Sequence, residues 1–227
     1  MVDNTAVSQT EVSRQDVLSL RRSPLAERAA ELDAAGGSRV RLREVPFRTQ
    51  ISLRAEPGGP AADGLEKVLG APLPRKVGQV SEVEAPVIGH VLWFGPDDFL
   101  LVAGDEAERE LSCSALAGIL AEAVGEHRGQ AVDLSGNRTV LELTGANAVD
   151  VLCRMVEVDV HPDFFPVGSA ILTLVAGSSA ALWRTDEDSY WIMPRASFAD
   201  HTANWLLDAM REFADRPLAG APGPGAV

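Results

Sequence analysis

Hydrophobic positions in the middle of the chain recur with the spacings of strands and helices. Residues 48–53 and 138–143 both read R-T-x-[IL]-x-L, with apolar and polar side chains in alternation. A period of two is typical of a strand with one buried face. Near residues 106–124 and 197–214, apolar side chains recur every three or four positions instead. That spacing predicts two long amphipathic helices.

These segments belong to a weak internal repeat with an offset of ninety residues. Leu92-Trp93 matches Leu182-Trp183 at this offset, and an acidic pair follows each, Asp97-Asp98 and Glu187-Asp188. Each half is expected to run strand, short helix, three strands and long helix, which is close to a ferredoxin-like plan. The sequence therefore predicts an α+β fold of two tandem units with antiparallel sheets.

The pattern places the first unit at residues 38–129 and the second at residues 130–214, and Gln130 to Leu134 could form an edge or linking strand. The expected elements of the first unit are a short helix near 61–69 and strands near 77–83, 90–94 and 98–103. Those of the second unit lie near 145–154, 168–175, 179–184 and 188–193.

The two ends of the chain have a different character. Residues 1–22 lack a sustained apolar face. In the rest of an N-terminal arm that spans residues 1–37, Ser23-Pro24 begins and Gly36-Gly37 ends a short helix-forming stretch. We expect this arm to become ordered only against a partner protein. Residues 215–227 are rich in proline and glycine and are expected to be disordered. The hydrophobic anchors expected in the arm are Leu18, Leu20, Leu25 and Leu32.

Composition indicates a soluble globular protein, because 46% of the residues are hydrophobic and only 23% are charged. The net charge of −13 argues against binding to nucleic acid or to anionic lipid. Residues 164–183 form an uncharged run long enough to span a bilayer. Proline and a Gly177-Ser178-Ser179 cluster interrupt that run, so a buried hairpin is the preferred interpretation.

Cysteine and histidine positions indicate neither a disulfide framework nor a local metal site. Cys113 and Cys153 are the only cysteines and form no CxxC pair, and the N-terminus has no secretory signal pattern. We therefore expect a reducing, cytoplasmic location. The four histidines are each more than thirty residues from the next, so no zinc-ligand spacing is present.

Few residues are candidates for chemistry. No dinucleotide fingerprint, P-loop or nucleophile elbow occurs, so we assign no catalytic, cofactor-binding or metal-binding residues. The acidic pairs are interpreted as turn residues and the thiols as packing residues. Arg48 and Arg138 begin equivalent strands, where an arginine fork could clamp a carboxylate or phosphate, or could join the two units through an acidic partner. The tryptophans that we expect in the core are Trp93, Trp183 and Trp205.

Several segments, taken in order, resemble one known family. Residues 42–54 read LREVPFRTQISLR, residues 92–102 read LWFGPDDFLLV, and residues 132–139 read VDLSGNRT. Further matches are the His161-Pro162 element with Phe165 and Gly168, and the segment from Leu182 to Phe198. Together they resemble the gamma subunits of heterotetrameric sarcosine oxidases over about residues 23–214. The Cys-Pro-Leu-Asp segment of that family is missing before His161, so a role of its cysteine does not transfer.

The resemblance implies a subunit of a complex that oxidises sarcosine to glycine with oxygen, giving formaldehyde or methylenetetrahydrofolate and hydrogen peroxide. In such complexes the beta subunit carries FAD and FMN, the alpha subunit binds NAD and tetrahydrofolate, and the delta subunit binds zinc. The gamma subunit, related to folate-binding domains of the aminomethyltransferase type, has no assigned catalytic residue or cofactor. Candidate interface or ligand residues are Leu25, Leu32, Arg48, Arg138 and His161.

Two other function classes stay open at this point. A free-standing folate-binding protein of the same fold could use Arg138 to hold the pterin or glutamate portion of folate. Against it, the Lys-Gly-Cys-Tyr-x-Gly-Gln-Glu segment of the iron–sulfur repair branch is absent. A small acidic adaptor would have neither flavoprotein partners nor affinity for folate.

Overall fold

The computed structural model describes residues 13–213, so the first twelve residues of the predicted arm and the predicted tail lie outside it. Short 3-10 turns lead into or out of several helices, as at Ala26–Arg28 and Glu106–Glu108. The α-helices are α1 (Arg14–Ser19), α2 (Ala29–Ala35), α3 (Pro60–Leu69), α4 (Cys113–Val124), α5 (Ala148–Leu152) and α6 (Ala199–Met210). The ends of α3 follow from its sequence, because Pro60 occupies its first turn and Gly70 ends it in a left-handed conformation.

The strands form two antiparallel five-stranded sheets, which confirms the predicted fold class. The first sheet has the order β6-β2-β5-β4-β3, and the second has the order β1-β7-β10-β9-β8. The strands are β1 (Arg41–Glu44), β2 (Arg48–Ala55), β3 (Val80–Val83), β4 (Gly89–Gly95), β5 (Asp98–Asp105), β6 (Gly129–Asp133), β7 (Leu141–Thr144), β8 (Ala170–Val175), β9 (Ser178–Asp186) and β10 (Ser189–Pro194).

One edge strand of each sheet lies, in sequence, directly before a strand of the other sheet. Strand β1 comes directly before β2 but pairs with β7, from Arg41 opposite Thr144 to Glu44 opposite Leu141. Strand β6 comes directly before β7 but pairs with β2. The sheets therefore do not follow the predicted division at residue 130, because the two units exchange these edge strands.

The sheets face one another, and helices cover their outer faces, so the fold has four layers. Helices α3 and α4 enclose a core with the first sheet. Helices α2, α5 and α6 enclose another with the second sheet. A smaller cluster lies between the sheets; its buried members are Leu92, Leu100, Val102, Val140, Ala170, Ala181, Trp183 and Met193.

The fixed ninety-residue offset of the predicted repeat is not confirmed. Ile51 pairs with Leu101 in the first sheet, whereas Leu141 pairs with Ile192 in the second. The offset is thus ninety residues between β2 and β7, and ninety-one residues between their partner strands β5 and β10. A shift of one residue moves a side chain to the other face of a sheet. Accordingly Trp93 packs toward the helices, while Trp183 lies between the sheets.

The N-terminal segment (residues 13–37) is folded against the rest of this chain, which corrects the expectation that it orders only against a partner. Leu25 and Leu32 are fully buried in the core of the second unit. The carboxylate of the half-buried Glu44 accepts hydrogen bonds from Ser23 Oγ at 2.5 Å and from the backbone N–H of Leu25 at 3.3 Å. Leu25 and Leu32 are therefore core residues, not free anchors.

The apolar run at residues 164–183 contains the predicted hairpin. Strands β8 and β9 meet at Ala176-Gly177, and both residues have a positive φ. Such a two-residue turn matches the twist of an antiparallel pair. Within residues 13–213, none of the helices has the length and apolar character needed to cross a membrane.

One predicted core residue is on the surface. Helix α6 lies at the predicted position, but Trp205 is 51% exposed and Phe198 before it is 45% exposed. The buried face of α6 is formed by Thr202, Ala203, Leu206 and Met210. The apolar stripe seen in the sequence is wider than the face that the helix buries, so the residues at the edge of the stripe are exposed to solvent.

Candidate functional site

A pocket of about 450 Å³ opens between the two sheets at one end of their interface. It lies within the range of about 300–1,000 Å³ that is typical of small-molecule sites. Residues from five strands, β2, β4, β5, β9 and β10, form its walls. They include Arg48, His90, Val102, Trp183, Thr185 and Trp191.

The antiparallel register places the aromatic residues of the pocket side by side. Trp183 of β9 is directly opposite Trp191 of β10, so both indoles project from the same face of the second sheet. Their ring centroids are 5.2 Å apart in an edge-to-face arrangement. His90 of β4 reaches from the first sheet, and its ring centroid is 4.7 Å from that of Trp183. Trp191 Nε1 donates a hydrogen bond to Glu142 Oε1 at 3.1 Å.

Arg48 brings a positive charge to this aromatic wall. Its guanidinium carbon is 5.1 Å from the centroid of the Trp191 ring, a cation–π contact. Its Nε is buried without a hydrogen-bond partner, and no carboxylate among residues 13–213 forms an ion pair with it. The indole N–H of Trp183 is also buried without an acceptor in that part of the chain. Two donors of the pocket are thus unsatisfied.

The histidine of the pocket is biased toward its neutral form. Burial lowers the pKa of His90, and the nearby Glu82 carboxylate only partly offsets that effect. A neutral imidazole keeps one ring nitrogen as an acceptor. The pocket therefore combines an arginine fork, an indole donor and an imidazole with apolar walls.

Sequence reasoning found Arg48 but not the pocket around it. His90 and Trp191 carried no motif, because the site joins strands of two units that are about a hundred residues apart. The alternation of apolar and polar residues around Trp183 was the one available signal. It indicated core positions and gave no sign that their faces border an opening.

Arg138 has a different environment from Arg48. The sequence predicts that both begin equivalent strands, but only Arg48 does, because β7 begins at Leu141 and Arg138 forms an isolated bridge with Arg195. Its Nη1 donates a hydrogen bond to the carbonyl oxygen of Met193 at 3.1 Å, and its own carbonyl accepts one from Gln50 Nε2 at 2.9 Å. Burial lowers the pKa of Arg138, helped by the neighbouring Arg195 charge. Neither arginine joins the units through an acidic ion pair within the described chain.

His161 does not line the pocket. It lies in the loop before β8, where its backbone N–H donates to Asp159 Oδ1 at 2.9 Å and its Nδ1 accepts from the Asp163 N–H at 3.3 Å. Its carbonyl oxygen accepts the N–H groups of Phe164 and Phe165. These hydrogen bonds give His161 a structural role within the loop.

The remaining candidates for chemistry have structural surroundings. Asp97 and the Glu187-Asp188 pair occupy the turns of the β4–β5 and β9–β10 hairpins, as predicted, whereas Asp98 is the first residue of β5. Cys113 is buried, but Cys153 is exposed, so the prediction that both thiols are packing residues is wrong for Cys153. In the part of the chain that the structure describes, no cluster of three or more histidine, cysteine or acidic side chains is arranged to hold a metal.

Comparison with known proteins identifies the family of this chain. A model of the sarcosine oxidase, gamma subunit family matches residues 54–212. A relative named sarcosine oxidase subunit gamma, from Corynebacterium sp. strain P-1, is 45% identical over 96% of this chain and 100% of its own length. This chain belongs to the sarcosine oxidase gamma subunit family. Another family member, from an Arthrobacter species, is 43% identical over the same shares of the two chains.

Solved structures agree with this assignment. A chain of the heterotetrameric sarcosine oxidase from Corynebacterium sp. U-96, in complex with pyrrole 2-carboxylate, superposes with a TM-score of 0.78 at 46% identity. The match covers 88% of this chain and 100% of that chain. An aminomethyltransferase of the glycine cleavage system from Bartonella henselae superposes with a TM-score of 0.61 at 18% identity, covering 85% of this chain and 58% of the transferase. The second likeness establishes a shared fold only.

Proposed function

We propose that this chain is the non-catalytic gamma subunit of a heterotetrameric sarcosine oxidase, which oxidatively demethylates sarcosine to glycine. The observation that carries the proposal is the likeness along nearly the whole chain to proteins named as that subunit.

We extend the proposal to the partners. The other subunits would be alpha, beta and delta chains, with FAD and FMN in beta, NAD and tetrahydrofolate in alpha, and zinc in delta. This chain would bind none of these groups and would stabilise the assembly. We also propose that the complex is cytoplasmic. The net charge of −13 favours a protein partner over nucleic acid or an anionic membrane.

The surface that we propose for a partner subunit is the exposed aromatic edge of α6. Its members are Phe198, His201 and Trp205, whose neighbouring ring centroids are 6.5 Å and 6.3 Å apart. Aromatic residues are enriched at protein interfaces, where a few of them carry most of the binding energy. Trp205→Ala should therefore weaken assembly while the melting temperature of the isolated chain changes little. Leu206→Ala, on the buried face of the same helix, is the matched control and should show the opposite pattern, because it leaves a cavity in the core.

The direct test is to purify the tagged chain gently from its own host, then record the native mass and the absorbance spectrum. We expect three co-purifying chains and a flavin spectrum that sarcosine bleaches. A chain that elutes alone and colourless would contradict the proposal.

The alternative, a free-standing folate-binding protein of the aminomethyltransferase-like fold, predicts the second outcome together with binding of tetrahydrofolate by the isolated chain. The small acidic adaptor predicts a colourless chain that binds no folate. Titration with tetrahydrofolate therefore separates these two alternatives if the first experiment fails.

A further inference from the structure

We propose that the pocket between the sheets binds a small carboxylate with a flat apolar body, held by Arg48. Every residue that lines the pocket in this structure is contributed by this chain. It is distinct from the proposed role in assembly, because the aromatic edge of α6 shares no residue with the pocket.

The charge of Arg48 is the first argument. The guanidinium lies in the pocket, its Nε is buried, and no acid in residues 13–213 neutralises it. An arginine fork binds a carboxylate through two parallel N–H···O bonds, and such bonds are stronger in a water-poor site. In contrast, Arg54 at the other end of the same strand pairs with both Asp97 and Asp98. The unpaired charge of Arg48 is thus available to an acidic occupant.

The indole N–H of Trp183 is the second, independent argument. Trp183 is only 6% exposed, and its Nε1 has no acceptor among the described residues. A buried donor without an acceptor costs free energy, so such groups in native proteins usually meet a partner. The donor atom exposes almost no surface in this structure, so an acceptor of the ligand reaches it only if the indole shifts. Trp191 does not need one, because Glu142 already accepts its N–H.

The walls define the rest of the ligand. Val102, Ala103 and Ile88 border the opening together with the two indoles, and Ile88 at the rim is 81% exposed. Gly89 allows the close approach of two strands here, because a Cβ at this position would lie 2.5 Å from the carbonyl oxygen of Val102. Apolar walls with a few convergent polar groups favour a flat hydrophobic body over a sugar or a polyamine.

The test is calorimetric titration of the full chain with 2-naphthoate, with 2-naphthamide as the neutral isostere. We expect the acid to bind and the amide to bind at least about tenfold more weakly, because hydrogen bonds to charged groups contribute about 1.5–3 kcal/mol. Equal affinity for the two compounds, or no binding of either, would overturn the proposal. This comparison uses only the unmodified protein.

Variants then locate the site. Arg48→Gln should weaken binding of 2-naphthoate by at least about tenfold, and Arg48→Lys should restore part of it as a point charge without the fork. Arg54→Gln, the matched control on the same strand, should bind as the unmodified chain does. Equal loss in the Arg48 and Arg54 variants would contradict the assignment. Melting curves in the absence of the probe verify that each variant is folded.

A carboxylate from residues 1–12 or 214–227 of this chain is the competing occupant. It predicts that the full chain does not bind 2-naphthoate, whereas a chain trimmed to residues 13–213 does. That result would overturn the proposal of a small-molecule site. Binding by both chains with the same affinity supports it.

Discussion

The two sheets share one strand order, but their outer faces are covered in different ways. The first sheet is covered by α3 and α4, both of which follow its own first strand along the chain. The second sheet needs α5, α6 and a segment that precedes the whole fold, since Leu25 and Leu32 complete its core. The second unit is therefore not complete in sequence between residues 130 and 214.

The N-terminal segment also holds the first unit, through polar contacts. Arg14 donates hydrogen bonds to the carbonyl oxygens of Glu106, Arg109 and Glu110. Arg21 makes a bidentate ion pair with Asp105, with N···O distances of 2.8 Å and 3.0 Å. The segment thus joins the units with apolar burial on one side and charged hydrogen bonds on the other. The following predictions test that difference.

The largest effect is expected from the apolar side. Leu32→Ala should lower the free energy of unfolding by about 2–5 kcal/mol, because a fully buried leucine is replaced by a cavity. Urea unfolding of the full chain measures the change. Leu20→Ala is the matched control, since Leu20 is 77% exposed, and it should stay within about 0.5 kcal/mol. If both variants unfold alike, residues 25–32 are not part of the core.

The fold class was predictable because hydrophobic spacing is local. The alternation in β2 and the helical spacing of α4 depend only on neighbouring positions, and both elements appear where they were expected. The exchange of β1 and β6 was not predictable, since each strand pairs with a segment far along the chain. The burial of Leu25 has the same cause, because nothing near it in sequence shows the face that it covers.

A glycine maintains the backbone approach where β1 joins the second sheet. Gly145 has φ +117°, and a Cβ there would be 2.4 Å from the carbonyl oxygen of Arg39. Gly145→Ala should destabilise the chain by about 1–3 kcal/mol, as strained positions do. Gly136→Ala is the control, because Gly136 has no heavy atom within 4 Å of the added Cβ and no positive φ. Equal melting temperatures of the two variants would contradict the close approach.

The charged side of the linkage should contribute less. Arg21→Ala is expected to cost about 1 kcal/mol, since the pair with Asp105 is partly exposed to solvent that screens it. A double-mutant cycle with Asp105→Asn isolates the interaction. The pair Arg22–Glu27, whose side chains are 73% and 82% exposed, serves as the control and should show no measurable coupling. If the coupling energy of Arg21 and Asp105 is no larger than that of the control pair, the Arg21 linkage does not stabilise the fold.

The candidate site was only partly predictable for a related reason. Arg48 stood out because the pattern R-T-x-[IL]-x-L that it begins recurs at Arg138. The structure separates these arginines by their partners, a carbonyl oxygen for Arg138 and the ring of Trp191 for Arg48. Such partners depend on how the two sheets face one another. The sequence pattern does not show the one-residue shift that turns Trp183 toward the opposite sheet.

The smallest expected effect is a difference in how the intersheet pocket and the N-terminal linkage change the stability of the chain as the pH falls. Burial lowers the pKa of His90 below its usual value of about 6.5, so the unfolded chain binds this proton more readily. The free energy of unfolding is therefore not reduced by protonation of His90 above about pH 6.5, and it declines as the pH falls through that value.

Burial alone would raise the pKa of Asp105, but its hydrogen bonds with Arg21 and Ala107 lower it overall. Its contribution should persist until the pH nears the usual aspartate value of about 3.9. Melting temperatures between about pH 7.5 and 5.5, which bracket the usual histidine value, should thus fall less in His90→Asn than in the unmodified chain. Asp105→Asn should leave the slope in this window unchanged. A fall that is unaltered by His90→Asn would assign the acid sensitivity to another region of the protein.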